Sequence, residues 1–496
     1  MSSPQALGGF APGAPLDIRS GISLSAQELE KLRGLRIAVV GGGIAGVSAA
    51  WRLRQQLGSS ARIFLCEAYD RLGGKLKTVD FLGGPVDMGA EAFLSMRSDF
   101  TELISEVGLA DQLEEPSGLP SGLFVEGHLV DIPRTTLMGI PRDGASIAHI
   151  VGEDAARRVD EEKHGQPMSW APGQDTSVGQ LVEARFGRVV VDRLVSPLLG
   201  GVYSCTAFDL GVRATMPELA KKLEELGADG REFFLTDAIA QILDGRLAKR
   251  QRTNGSGAVF KSLRCGYRGL LEAMVRQADP EVFFNTGIES IGRTRNGWYV
   301  EPLGEFDALV IATPAPTAAV LLDHMAPTAA EVLHNVELAS SVVVGMRMAS
   351  DHGIPQRSGV LLGADSPTDA KAFTFSSRKW PHLGERGGAF VRASFGTYSE
   401  PWYLEVDDRA LLTYAIDDLA KVTGERKRPE EFFVQRWWGG LPRYGVGYRE
   451  AMQVAYEDVR DIRGLALAGS MLDGVGVPAA AATGIRAADE IIAEML

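Results

Sequence analysis

Three cysteines in 496 residues, at positions 66, 205 and 265, are too few and too scattered to make a disulfide framework. Cys66 falls inside an apolar β-branched run and reads as a small buried residue. Seven histidines stand apart, and no cysteine or histidine cluster has the spacing of a metal site, so no metal is expected. Also missing are Gly-x-Ser-x-Gly, His-x-x-x-His and any pair of carboxylates placed for acid–base work, which points away from hydrolytic chemistry. No apolar run reaches the roughly 18 residues that would span a bilayer, leaving at most peripheral membrane contact. Positive charge is in deficit: the net charge of −13 argues against nucleic acid as a partner, while a local basic pocket for an anionic small molecule stays compatible. Residues 1–34 are rich in Pro, Gly, Ser and Ala without the basic start and apolar centre of a secretory leader. They are expected to be a flexible tail, and the chain reads as cytoplasmic.

What is present in abundance is glycine, 58 residues, and one group of them is ordered. The run Leu35-Arg36-Ile37-Ala38-Val39-Val40 leads into Gly41-Gly42-Gly43-Ile44-Ala45-Gly46, a helix-like stretch to Leu57, and a second run, Arg62 to Cys66, that ends at Glu67. This is strand, G-x-G-x-x-G turn, helix, strand and acid in register, as a dinucleotide-binding βαβ unit requires. Gly41 allows the tight turn, Gly43 admits a pyrophosphate close to the backbone, and Gly46 lets helix and strand pack closely. Ile44 and Ala45 open the helix, whose N-terminal N–H groups and partial positive charge suit phosphate. Glu67 would accept the two ribose hydroxyls.

Two further segments repeat the pattern of strand followed by a turn. Phe306 to Ile311 reads as a parallel-sheet strand ending at Ala312-Thr313-Pro314. Gly464 to Gly469 is a short apolar strand followed by Gly474-Val475-Gly476-Val477-Pro478 and a helix of small residues. One nucleotide fold is thus assembled from separated pieces, and the intervening segments are insertions. The expected class is α/β plus α+β: a discontinuous Rossmann-like dinucleotide-binding domain (35–96, 255–325 and 462–496), a helical subdomain (97–218) and an inserted mixed-sheet substrate-binding domain (219–254 and 326–461). Asp160 to His164 reads as a solvated acidic loop, and Trp437-Trp438 as strand core.

The dinucleotide is narrowed by Arg71-Leu72-Gly73-Gly74-Lys75, because a second glycine pair suits a flavin ring lying against backbone just past the first βαβ unit. The turn from Gly474 to Pro478 offers donors to the N1/O2 edge of that ring, where charge accumulates on reduction. With Glu67, these segments resemble the FAD superfamily of amine oxidases, phytoene desaturases and protoporphyrinogen oxidases. Met88-Gly89-Ala90-Glu91-Ala92-Phe93-Leu94, Ser196-Pro197-Leu198-Leu199-Gly200-Gly201-Val202-Tyr203, Asp209 to Leu219, Phe375 to Trp380 and Leu441-Pro442-Arg443-Tyr444 resemble, more narrowly, the protoporphyrinogen/coproporphyrinogen oxidase family. The likeness runs from about residue 35 to the end. Tyr448, where relatives often carry histidine, and the four alanines 479–482 depart from it.

The resemblance implies FAD as cofactor, a porphyrinogen and O2 as reactants, loss of six hydrogens with hydride passing to flavin N5, and handover of product to a ferrochelatase. It places Gly89, Ala90, Glu91, Ile288, Thr313 and Gly469 beside the cofactor, with no catalytic side chain required. Glu91 has two readings, a carboxyl that tunes the flavin and a structural hydrogen-bonding group. For the macrocycle, Arg97 is the leading propionate clamp, with Arg193, Arg213 and Arg443 behind it. Leu198, Tyr203, Met346, Val360, Leu361 and Phe373 are the apolar candidates, each equally readable as core. Coproporphyrinogen III is preferred to protoporphyrinogen IX, which differs by two vinyls in place of two propionates. An amine oxidase and a non-catalytic FAD-binding protein remain alternatives.

Overall fold

A computed structural model describes residues 22–81, 83–252 and 258–496; the flexible tail expected over 1–34 lies outside it at 1–21, whereas 22–34 contain a helix, Ala26–Lys31, capped by Ser25, with Leu32 buried in the core. The chain divides into two compact units, the first formed by the described part of Met1–Glu114 with Val259–Val336 and Glu450–Leu496, the second by the described part of Glu115–Ala258 with Glu337–Arg449.

The first unit is built on five parallel strands. β1 (Arg36–Val40) leads to helix α1 (Ile44–Leu57) and β2 (Arg62–Cys66), and the sheet is completed by β3 (Glu281–Phe283), β4 (Ala308–Ile311) and β5 (Leu465–Leu467). The order is β3-β2-β1-β4-β5, every neighbour parallel. Chain order therefore reverses between β1 and β4, and ligands of such sheets bind beyond the strand C-termini at this switch point. Apart from Arg36 and Arg62 at their starts, β1, β2, β4 and β5 are buried on both faces, as their apolar runs predict, while β3 at the sheet edge is only partly buried. Helix α2 (Val477–Met495) packs along α1 so closely that a Cβ on Gly484 would land on the Ala45 carbonyl oxygen.

The second unit holds a seven-stranded mixed sheet in the spatial order 431–442, 338–348, 389–395, 370–374, 359–362, 121–125, 128–131. The last two strands are a hairpin inside the segment expected to be helical. Its turn, Glu126-Gly127, has positive φ at both residues (50° and 80°), the geometry that suits the twist of a two-residue hairpin. Ser121–Val125 then pairs in parallel with Gly359–Leu362. That pairing joins the two inserted segments into one unit, whereas residues 97–114, 326–336 and 450–461 fall in the first.

Around the sheet the helices follow their apolar spacing, with local exceptions. Within the segment expected to be helical, residues 188–203 are broken into Arg188–Val190, a π-helical stretch Val191–Val195, and Ser196–Tyr203. Pro197 has no N–H to return to the carbonyl four residues back, which explains a widened turn there. Trp438 is exposed rather than core. Glu162, expected to be solvated, is buried: it accepts from Arg185 Nε at 2.7 Å, from the N–H groups of Leu235 and Thr236 at 2.9 and 3.1 Å, and from Thr236 Oγ1 at 2.6 Å. It thereby caps the 18-residue helix Leu235–Arg252 from 73 positions away in sequence. Glu162→Ala is expected to leave Arg185 without its carboxylate and three buried donors, the Leu235 and Thr236 N–H groups and the Thr236 hydroxyl, without their acceptor, and to destabilise the protein by about 3 kcal/mol. An unchanged urea midpoint for that variant would refute the capping role.

Candidate active site

At the C-terminal ends of β1, β2, β4 and β5 the backbone forms a cradle. Gly41 turns the chain at φ 111°, donates its N–H to the Cys66 carbonyl at 2.8 Å, and sits so near β4 that a Cβ would lie 2.6 Å from the Ala312 oxygen. A Cβ on Gly46 would strike the Gly41 carbonyl oxygen, so the start of α1 rests directly on the turn. Gly43 is different. It is the N-cap of α1 at φ −70°, an ordinary conformation, and a Cβ there would meet nothing within 4 Å. Its glycine is required neither by backbone strain nor by packing, and it faces open space where a phosphate would approach. No side chain caps this helix, which leaves the first N–H groups, those of Ile44 and Ala45 among them, as donors.

Glu67 is 8% exposed and held from behind. One oxygen accepts from the Gly42 N–H at 2.9 Å and the other from the Tyr69 N–H at 3.0 Å. Each oxygen keeps a lone pair for a ribose hydroxyl. Arg71 donates to the carbonyls of Leu72, Leu76 and Gly74 at 3.2, 3.0 and 2.8 Å, so it shapes the loop more than it reaches a ligand. Gly73 donates to the Gly42 carbonyl at 2.8 Å, closing the loop onto the turn beside Gly74. Lys75 opens to solvent, yet surrounding protein desolvates its ammonium and lowers its pKa, with Glu67 opposing.

Thr313, just past β4, carries a buried hydroxyl with no partner. Gly469 donates to Thr483 Oγ1 at 2.8 Å beyond β5, and Gly476 is the N-cap of α2, again without a side-chain cap, with Val477 and Pro478 in the first turn. Gly89 and Glu91 are half-buried and Ala90 exposed; the Glu91 carbonyl accepts from Ser262 Oγ at 2.7 Å. Ile288 is half-buried in the segment after β3, two residues beyond Thr286, whose N–H donates to the Glu67 carbonyl at 2.9 Å.

A model of the flavin containing amine oxidoreductase family matches residues 44–492, taking in the turn, the inserted segments and α2. The chain belongs to this family. Among curated proteins it is similar to a coproporphyrinogen III oxidase of Mycobacterium tuberculosis, 38% identical over 459 residues (92% of this chain, 96% of that protein). It is also similar to one of Mycobacterium leprae, 36% identical over 461 residues (92% and 98%). Among solved structures it resembles a protein of Exiguobacterium sp. 255-15, provisionally described as a protoporphyrinogen oxidase. That match has a TM-score of 0.80 and 25% identity, and covers 95% of this chain and all of that one. FAD is the cofactor, as for a flavin containing oxidoreductase, and the cradle fits it: an orphaned hydroxyl at the switch point, open space over Gly43, and two uncapped helix N-termini.

In this flavin oxidoreductase the second unit separates the apolar candidates by sheet face. Val360, Phe373, Ala393, Val344 and Val434 form one cross-strand row and pack into the core with Met346. Val360, Phe373 and Met346 are at most 1% exposed, so they are core residues and do not line a site. The adjacent row, Leu361, Ala372, Ser394, Val343 and Gln435, belongs to the opposite face, because side chains alternate along a strand. Apart from buried Val343, its members are only half-buried. Leu361 meets helix Ser196–Tyr203 there, where a Cβ on Gly201 would lie 3.3 Å from its Cδ2. Leu198 and Tyr203, both half-buried, are on that helix, and burial pushes the Tyr203 hydroxyl up to about 12. Tyr203 and Tyr444 ring centroids are 6.0 Å apart, and Tyr444 and Tyr448 are 4.5 Å apart.

None of the four arginine candidates is a free cation. Arg97 forms a fork with buried Asp99, Nε at 2.9 Å and Nη2 at 2.5 Å. Arg193 is paired with Glu126 and Asp365 at 2.6 and 2.8 Å, Arg213 with Glu224, and Arg443 with Glu337. A guanidinium already neutralised by a carboxylate has little to gain from a second one.

Gly43→Val and Gly46→Val separate cofactor binding from folding. Gly43→Val is expected to give folded, colourless protein, whereas Gly46→Val forces α1 off β1 and leaves little soluble protein. Absorbance at 450 nm relative to 280 nm, read beside circular dichroism, checks this. Full flavin in Gly43→Val would refute the phosphate assignment.

Proposed function

We propose that the protein oxidises coproporphyrinogen III to coproporphyrin III in haem synthesis, with O2 as final acceptor. Three two-electron steps remove six hydrogens and convert three O2 to three H2O2. The observation that carries this reading is that the likeness to coproporphyrinogen III oxidases extends over 92% of the chain. It therefore includes the second unit, Glu115–Ala258 with Glu337–Arg449, which a shared nucleotide fold alone would not preserve.

In the first unit, the uncapped N–H groups of α1 hold the pyrophosphate and Glu67 holds the ribose. Gly476 and the first turn of α2 direct N–H groups and the positive end of the helix at the polar edge of the ring. When bound, FAD accepts the hydride taken from a bridging carbon of the macrocycle. In the second unit, Leu361, Ala372, Val343, Leu198 and Tyr203 offer an apolar surface that binds and orients an extended ring and keeps water from it. Aromatisation supplies the driving force, so the protein's task is positioning, consistent with a sequence that has no nucleophile–base pair. Among the described residues no helix is long and apolar enough to cross a membrane. The reading includes a cytoplasmic setting and transfer of the metal-free product to a ferrochelatase.

Growth of porphyrin fluorescence in air, compared for coproporphyrinogen III and protoporphyrinogen IX, tests the reading. A kcat/KM preference of about tenfold or more for coproporphyrinogen is expected, the worth of one charged hydrogen bond to a propionate that the other substrate lacks. Preference for protoporphyrinogen would overturn the choice of substrate. A flavin that neither porphyrinogen reduces without air would overturn the enzyme.

A further inference from the structure

On the second face of the seven-stranded sheet, Lys371 is a cation whose hydrogen bonds go to no carboxylate. Lys371 sits at an irregularity in the pairing between Ala370 and Ala372, so the alternation of side chains is interrupted there. Its Nζ leaves the core side and donates to Ser204 Oγ at 2.8 Å and to the Gly396 carbonyl at 2.6 Å. Both acceptors are neutral, and an ammonium has a third donor. Of the other charged groups that act on the adjacent Cys205, Arg443 is paired with Glu337, and Asp209 Oδ2 accepts from the Thr206 N–H and hydroxyl at 2.8 and 2.7 Å. Cys205, the neighbour that acts on the lysine electrostatically, is itself held neutral, its thiol pushed up to about 12 by burial. The ammonium therefore keeps its charge among groups that do not compensate it, and burial pulls its pKa down to about 8.

The contrast with the arginines is informative. Arg97, Arg193, Arg213 and Arg443 each have a carboxylate, and Lys371 does not. Ser204, which receives the lysine, ends the helix that bears Leu198 and Tyr203; its backbone is left-handed, at φ 53°. The lysine also directly precedes Ala372 of the half-buried row that includes Leu361. A cation at the rim of an apolar surface, lacking only an anion, is the arrangement that receives the carboxylate of a largely apolar ligand.

We propose that Lys371 is a substrate-binding residue that takes one propionate carboxylate of the macrocycle and thereby selects carboxylate-bearing porphyrinogens. This rests on the porphyrinogen reading above. The competing role is structural, an ammonium that ties the C-terminal end of helix Ser196–Tyr203 to the Gly396 carbonyl.

The test uses FAD-loaded Lys371→Gln, which can still donate to Ser204 and Gly396 but carries no charge, with Lys371→Arg as the charge-retaining variant. Two quantities are read: steady-state kcat and KM with coproporphyrinogen III, and the Kd of coproporphyrin III and of its tetramethyl ester by quenching of tryptophan fluorescence. Loss of a charged hydrogen bond predicts that Lys371→Gln raises KM and the coproporphyrin Kd about ten- to hundredfold. It predicts a change in kcat under about twofold, an unchanged Kd for the uncharged ester, and partial recovery in Lys371→Arg. Equal weakening of acid and ester, or no weakening of either, overturns the assignment. If the unmutated protein turns over no porphyrinogen, the oxidase reading falls by itself. The binding comparison still decides Lys371: selective loss of the acid in Lys371→Gln supports it, and equal affinities sink it.

Discussion

The first unit depends on backbone meeting backbone. α1 rests on the turn that follows β1 because Gly46 has no side chain to hold it off Gly41, and α2 lies on α1 because Gly484 has none to hold it off Ala45. These two contacts set the distance of both helix N-termini from the strand ends. A methyl group at either position would move a helix by more than the tolerance of a phosphate site, whose donors act within about 3 Å. The other parts of the cradle are arranged around that spacing: Glu67 held by the Gly42 and Tyr69 N–H groups, the 71–75 loop closed onto Gly42, and Thr313 presented at the reversal of strand order.

In the second unit the corresponding constraint is strand alternation. One row of the sheet is sealed into an apolar core, and the next faces the other way with polar and apolar residues mixed. Lys371 escapes the core because the pairing slips by one residue beside it. An uncompensated ammonium is costly to hold in such surroundings, and proteins that carry such a group commonly use it. Chemistry that needs no side-chain base is consistent with a site whose specificity rests on shape and one or two charges.

The nucleotide half was legible in the chain because its signals are local. A strand, a glycine turn and an acid 21 residues past Gly46 lie within about 30 residues, and Gly46 is demanded by Gly41, five positions away. Even there, Arg71 looked like a ligand contact and turns out to satisfy carbonyls of its own loop. The inserted half was less legible. The Glu126-Gly127 hairpin carried a readable turn signal between two apolar runs, but Glu162 did not. Its partners at 235 and 236 are brought to it only by the fold, and a run of charges looks the same in a loop as at a helix cap.

Sequence alone marked Gly41, Gly43, Gly46 and Glu67 as the expected seat of an ADP-bearing cofactor. The turns after Ile311 and Gly469 extended that to a flavin, because backbone donors and glycine spacing are written in consecutive residues. Only the tertiary structure decided which of Val360 and Leu361 faces the core, which arginines are already neutralised, and that Lys371 is not. Facing depends on register between strands distant in the chain, and charge compensation depends on partners up to 172 residues apart. Neither quantity exists until the chain has folded.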